Sequence, residues 1–317
     1  MKNNLNNNTP EISVIIPVYN EEGNIIELYN RLVLEIERLI KTNYEIIFID
    51  DGSKDQTWDL INNLNSRNSF VKGIKLSRNF GHQNALKAGL DFSKGKAVIS
   101  LDGDLQQPPE LISKFYNYWK KGFDIVYGSR VDTKGVPKWK EMTSSLFYKF
   151  LNYLSDTKLD KGSSDFRLLD RKVVNELKKF NENLLFLRGI VGWIGFNSKA
   201  INYTAEKRFH GKTKYSFMKM IKFGLDGIMS FSIKPLRVAT ITGFLISFIA
   251  FGYIIYALLV RFVFFTALPG WTSILVWVLF IGGIQLICIG IAGEYIGKLF
   301  LEVKKRQIYV VDKILDN

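Results

Sequence analysis

A single cysteine, Cys288, stands among 317 residues, so neither an intrachain disulfide framework nor a cysteine-based zinc site is open to this chain. Its neighbours are apolar, and the thiol reads as inert. Glycine signatures that grip phosphates are also missing. No Gly-x-Gly-x-x-Gly and no Walker pattern occurs, which argues against a dinucleotide-binding domain or a P-loop enzyme. Residues 1–10 are polar and rich in asparagine, hold no apolar stretch resembling a signal peptide, and read as disordered. Finally, charge disappears over two long runs. None occurs from Val238 to Val260, and after Arg261 none returns until Glu294.

About 20 apolar residues cross a bilayer, so residues 236–298 are predicted to form a hairpin of two transmembrane helices, broken at Pro269-Gly270. Lys219, Lys222, Lys234 and Arg237 precede the first span, and Lys298, Lys304, Lys305 and Arg306 follow the second. Only Arg261 lies between. Positive charge favours the cytoplasmic side, so both termini, including the tail 299–317, are expected there. Trp271 and Trp277 would then mark the outer interface. Residues 217–235 space Phe217, Ile221, Leu225 and Ile228 along one face and predict an amphipathic helix on the membrane surface. Across the whole chain Lys and Arg total 43 against 30 acidic residues, a net charge of +13. That permits nucleic acid, an anionic membrane or phosphorylated substrates as partners, without choosing among them.

Upstream, apolar strand-like runs alternate with helical periodicities. Strands are predicted at 12–17, 44–49, 71–76, 98–101 and 125–127, with an edge strand at 198–206. Ile25, Leu28, Leu32, Ile36 and Leu39 share one face of the helix after the first strand, and Asp55 can cap the next. This alternation predicts an α/β domain over 11–216, with a mostly parallel sheet and helices on both faces. A polar loop after Arg130 leads into a helical stretch at 139–154, where a substrate lid would fit.

Chemistry concentrates where strands end. The run Val98-Ile-Ser-Leu-Asp102-Gly-Asp104-Leu-Gln106 brings two carboxylates to a strand's carboxyl end, where open α/β sheets bind ligands. Carboxylates so close repel unless a cation lies between them. Hard oxygen donors suit Mg²⁺ or Mn²⁺, completed by substrate phosphates. Asp50-Asp51-Gly-Ser53 ends the second strand, and Arg208-x-x-Gly-Lys212-Thr-Lys214-Tyr-Ser216 forms a basic loop before the amphipathic stretch.

With Pro17-Val-Tyr19-Asn-Glu21 added, these motifs make the chain resemble family 2 glycosyltransferases of the GT-A fold over nearly its whole length. The likeness is to polyprenyl-phosphate transferases, the dolichol-phosphate-mannose-synthase-like group and bacterial undecaprenyl-phosphate glucosyltransferases. That resemblance implies transfer, with inversion, of one sugar from a nucleotide-sugar to polyprenyl phosphate on the cytoplasmic leaflet. UDP-glucose is the favoured donor, and GDP-mannose, UDP-N-acetylglucosamine and modified arabinose donors fit the same frame. A diacylglycerol-type acceptor is the alternative, and a homotetramer is the implied assembly, with no nucleic acid partner.

By the same resemblance Pro17, Tyr19, Glu21, Asp50 and Arg78 surround the nucleotide, while Asp51 touches the ribose or only caps its turn. Asp104 and Gln106 hold the metal, and Asp102 joins them or contacts the nucleotide. Arg130, Arg167 and Arg208 hold phosphates, extended by Lys212 and Lys214. Asp165 acts as a base or orients Arg167 or Lys212. Gly103 departs from the commoner alanine, and no Gln-x-x-Arg-Trp motif supports a processive polysaccharide synthase. His82 reads as a structural loop histidine, and Tyr19 and Trp193 as core or stacking residues. A non-catalytic membrane scaffold that binds nucleotide-sugars is the reading from another class. The intact Asp102-Gly-Asp104-Leu-Gln106 set argues against it.

Overall fold

The computed structural model describes residues 9–40, 43–131, 163–182, 186–205, 232–262 and 270–316. The stretches 1–8 and 139–154, the loop bearing Arg208, Lys212 and Lys214, and residues 217–231 of the expected amphipathic helix lie outside it.

Eight strands form one sheet: β1 (Ile12–Val18), β2 (Tyr44–Asp50), β3 (Val71–Leu76), β4 (Ala97–Ser100), β5 (Ile125–Arg130), β6 (Ser163–Asp170), β7 (Ser198–Tyr203) and β8 (Val311–Leu315). Their order is β7-β5-β6-β4-β1-β2-β3-β8. The central block β4-β1-β2-β3 is parallel, while β6 and β8 run antiparallel to their neighbours. Every residue of β1 and β2 is buried, as strands covered on both faces require. Alternation then assigns each side chain to a layer. Val14, Ile16, Ile46 and Phe48 join one core with α1 (Ile25–Leu39), α2 (Thr57–Arg67) and α4 (Ile112–Lys120). Ile15, Ile47 and Ile49 join the other with α3 (His82–Phe92), α5 (Arg171–Lys178) and α6 (Leu187–Ile194). This is the GT-A arrangement of an open α/β sheet.

Two strands had no clear signal in the sequence. Residues 163–167 carry serines, Asp165 and Arg167, a pattern too polar for a buried strand, yet β6 enters the sheet between β4 and β5. Phe166 and Leu168 fill the first core. The intervening positions turn Asp165 and Arg167 to the opposite face, at 2% and 4% exposure. Pairing of Ser100 with Arg167 fixes the register; carried on by two residues, it brings Asp165 across from Asp102.

The expected tail, 299–317, is also more than an appendage. Past α7 (Lys234–Phe262) and α8 (Trp271–Val303), the chain returns to the sheet as β8. The amide of Ser77 donates to the carbonyl of Val310 at 2.9 Å, and Tyr309 Oη donates to Asp91 Oδ2 at 2.9 Å. Lys72 Nζ bridges Asp316 at 2.7 Å and the buried Glu45 at 3.1 Å. The segment that follows the second helix is therefore part of the sheet.

Within α7 and α8, Lys234–Tyr253 and Phe280–Val303 have mean hydropathies of 1.6 and 1.5, and neither is buried inside the protein. Both helices are long and apolar enough to cross a membrane. Tyr295 Oη donates to the carbonyl of Ser232 at 2.7 Å, tying the second helix to the entrance of the first.

Candidate active site

Three loops meet at the carboxyl ends of the central strands, and polar contacts knit them. After β1, the amides of Asn20 and Glu21 donate to Ser53 Oγ and Thr57 Oγ1, both at 2.9 Å. Asn20 Oδ1 accepts in return from the Lys54 amide at 2.8 Å. Asn20 holds φ +52°, a left-handed conformation asparagine tolerates. Gly52, at φ +71°, presses against the third loop so closely that an added Cβ would lie 2.6 Å from the carbonyl carbon of Arg78. Only glycine meets both demands.

Asp51 closes this assembly. Its Oδ1 accepts from the Phe80 amide at 2.7 Å and its Oδ2 from the Gly81 amide at 2.9 Å. Burial raises its pKa, and the two amides pull the other way. Asp50 behaves differently: one oxygen accepts from the Ser53 amide at 2.9 Å. Its Oδ2 is buried with no hydrogen-bond partner among the described residues.

Beside these loops lies an acidic cluster. Asp102 follows β4 with its side chain 33% exposed, and Gln107 clasps it: Asp102 N donates to Gln107 Oε1 at 2.9 Å, and Gln107 Nε2 donates to Asp102 Oδ2 at 2.5 Å. Asp104 Oδ1 accepts from the Gln106 amide at 3.2 Å. Leu105 between them is buried at φ +60°, an uncommon conformation for a branched side chain, of the kind that collects at functional sites. His82 Nε2 lies 3.4 Å from Asp102 Oδ1 and 3.5 Å from Asp165 Oδ2. Burial alone would lower the pKa of His82, but Asp102 and Asp165 outweigh it and push it up to about 9. The two carboxylates thus favour the charged form of the imidazole. Asp102 is raised by burial and by Asp165 and Asp104, against the pull of His82.

The family described as Glycosyl transferase family 2 matches residues 13–178, and the GtrB C-terminal hairpin matches residues 234–299. The chain belongs to glycosyl transferase family 2. An uncharacterized glycosyltransferase of Synechocystis is 42% identical over 306 residues, 96% of each chain. A prophage bactoprenol glucosyl transferase homolog of Escherichia coli is 40% identical, over 96% of this chain and 99% of its own. The bactoprenol glucosyl transferase of Shigella phage SfII is also 40% identical, over 96% and 98%.

In this family 2 transferase Pro17, Tyr19, Glu21, Asp50, Asp51, Asp102, Asp104, Gln106 and Asp165 gather at one end of the sheet. Arg130 ends β5 and is exposed. Arg78 is exposed too, its guanidinium 4.1 Å from the Phe80 ring centroid. Arg167 is buried, which lowers its pKa against the pull of Asp165. Its Nη2 donates to the Ser164 carbonyl at 2.8 Å, and its Nε has no partner among the described residues. Trp193 is 64% exposed and meets Phe180 edge-on at 6.0 Å, at the rim of the second core.

Sequence reasoning missed Arg188 and Gln107. Arg188 Nε and Nη2 donate to Asp165 Oδ1 and Oδ2 at 2.9 and 2.8 Å. Burial would raise the pKa of Asp165, but Arg188, His82 and Arg167 hold it well below the usual carboxylate range. The available signal was Arg188 itself, a lone charge within Leu184-Leu-Phe-Leu-Arg-Gly-Ile-Val191.

Asp51 yields a stability prediction. Asp51→Ala strands two loop amides, and hydrogen bonds to charged groups contribute ~1.5–3 kcal/mol each, so a loss of about 3–6 kcal/mol is expected. Chemical denaturation of the detergent-solubilised protein measures it. A loss under ~1 kcal/mol would mean that the loops hold without this tie.

Proposed function

We propose that the chain transfers one sugar, glucose from UDP-glucose being favoured, from a nucleotide-sugar to polyprenyl phosphate at the cytoplasmic face of a membrane. The observation that carries this reading is the placement of Asp102 and Asp104 beside the knitted loops, in a chain whose second apolar helix leads back into the same sheet as β8. The names of the relatives support the acceptor and the sugar.

Asp50 Oδ2 is a buried acceptor that the base of a nucleotide could satisfy through a ring N–H. Pro17, Tyr19, Glu21 and Arg78 would border the same nucleotide. Among the described residues no three histidine, cysteine, aspartate or glutamate side chains cluster as a metal site on their own. Asp104 and Asp102, with the Gln106 side-chain oxygen, nevertheless fit Mg²⁺ or Mn²⁺, which accept one or two carboxylates and draw other ligands from phosphate and water. The bound cation would stabilise charge on the departing diphosphate.

A phosphomonoester has its second pKa near 6 and needs little help to become a nucleophile at neutral pH. Attack from the face opposite the diphosphate inverts the sugar carbon. What the acceptor needs is positive charge, which Arg130 offers within the described residues and Arg208, Lys212 and Lys214 offer in sequence just before residues 217–235. Two helices make an even number of crossings, so the N-terminal domain and β8 share one side. The Lys and Arg bias makes that side cytoplasmic.

Variants in the basic loop test the acceptor. Arg208→Ala or Lys212→Ala should raise the apparent KM for polyprenyl phosphate about 10- to 150-fold, the range for losing one charged hydrogen bond. Calorimetric affinity for UDP-glucose should barely change. Loss of nucleotide affinity with unchanged acceptor dependence would make the loop a donor clamp instead.

A further inference from the structure

We propose that Arg188 is a positioning residue for transfer: its two bonds fix Asp165 as the post against which His82 is set, and His82 braces Asp102. This rests on the function proposed above for the meaning of turnover, but the geometry stands without it.

The Asp165 carboxylate is 2% exposed and crowded with donors. Arg188 takes one bond to each oxygen, at 2.9 and 2.8 Å. Gln83 Nε2 donates to Oδ2 at 3.1 Å, with His82 Nε2 at 3.5 Å from the same oxygen and Arg167 Nη2 at 3.5 Å from Oδ1. Two carboxylate oxygens offer about four lone-pair sites. Arg188 and Gln83 fill three of them, with His82 and Arg167 3.5 Å from the oxygens, so Asp165 is anchored among donors. Its backbone is pinned as well, its carbonyl accepting from Ser100 Oγ on β4.

Gln83 shows that the arrangement extends beyond one ion pair. While its amide nitrogen reaches Asp165, its Oε1 accepts from the Leu187 amide at 3.2 Å, so the first turns of α3 and α6 are held together next to Arg188. His82 opens α3 and Arg188 lies in the first turn of α6. Asp165 is the post that both helices grip, and Asp102 lies 3.4 Å beyond His82. Lysine at position 188 would keep the charge but not the two-pronged geometry.

His82 and His210 are the only histidines, so the full-length protein in detergent, isotope-labelled at histidine, gives two ring signals, assigned with His210→Gln. Arg188→Gln should move the His82 signal and lower turnover at least about tenfold, with the donor KM within about threefold. Arg188→Lys should recover part of both. A single change leaves Asp165 buried without its main partner, which can unfold a site. Arg188→Gln is therefore also combined with Asp165→Asn, which leaves no lone buried carboxylate. If Arg188 acts only through Asp165, the double variant turns over no more slowly than Asp165→Asn alone. A His82 signal unmoved by Arg188→Gln overturns the assignment, as do losses that multiply in the double variant. Wild-type protein that transfers nothing to polyprenyl phosphate would instead sink the proposed function, and the substrate-free His82 spectrum would still decide the role of Arg188.

Discussion

Asp104→Asn is expected to cut sugar transfer by at least ~100-fold, the loss that follows removal of one strong electrostatic stabiliser of a developing anion. The change preserves shape and the contact to the Gln106 amide, a backbone donor that the asparagine oxygen still satisfies. What disappears is negative charge at the end of β4. Asp102 keeps its own charge, but with Gln107 bonded to its Oδ2 and His82 3.4 Å from its Oδ1 it is one carboxylate left to do the work of two. EDTA should abolish wild-type transfer, and Mn²⁺ or Mg²⁺ should restore it. Full turnover in EDTA, or an unchanged rate in Asp104→Asn, would return Asp104 to an ordinary solvated turn.

Removing residues 308–317 should cost the catalytic domain about 3–6 kcal/mol. The truncation deletes β8, leaves Asp91 without Tyr309 and frees Lys72 from Asp316. At ~1.5–3 kcal/mol for each charged contact and roughly 2–4 °C per kcal/mol for a domain of this size, the melting temperature should fall by roughly 6–24 °C. A second effect should accompany it, because the Val310 carbonyl holds the Ser77 amide. Ser77 opens the loop whose Phe80 and Gly81 amides cap Asp51. Affinity for the nucleotide should therefore weaken. A melting temperature within ~2 °C of the full chain would show that β8 is dispensable.

Most of the sheet was legible because its central strands are buried on both faces and read as mostly apolar runs, Ile12–Val18 and Tyr44–Asp50 above all. Ile25, Leu28, Leu32 and Ile36 likewise lie buried at helical spacing. The strands that escaped are those whose character comes from partners distant in sequence. β6 has one apolar face and one charged face, and its charges are tolerable only because Arg188 and His82 arrive from other elements. β8 is a short edge strand whose Val-Asp-Lys-Ile-Leu is broken by Asp312 and Lys313 and shows no clear alternation. Local pattern could suggest that Asp102 and Asp104 end a strand together. It could not reveal that Gln107 folds back on Asp102, nor that Asp51 turns away to hold two amides.

The central claim is tested most directly by product analysis. Membranes holding the protein are incubated with undecaprenyl phosphate and, in separate reactions, labelled UDP-glucose, GDP-mannose, UDP-N-acetylglucosamine and a modified arabinose donor. The predicted result is one glycolipid, a single glucose on undecaprenyl phosphate made from UDP-glucose and missing with Asp104→Asn. No labelled polyprenyl lipid from any donor, or label carried on diacylglycerol instead, would contradict it.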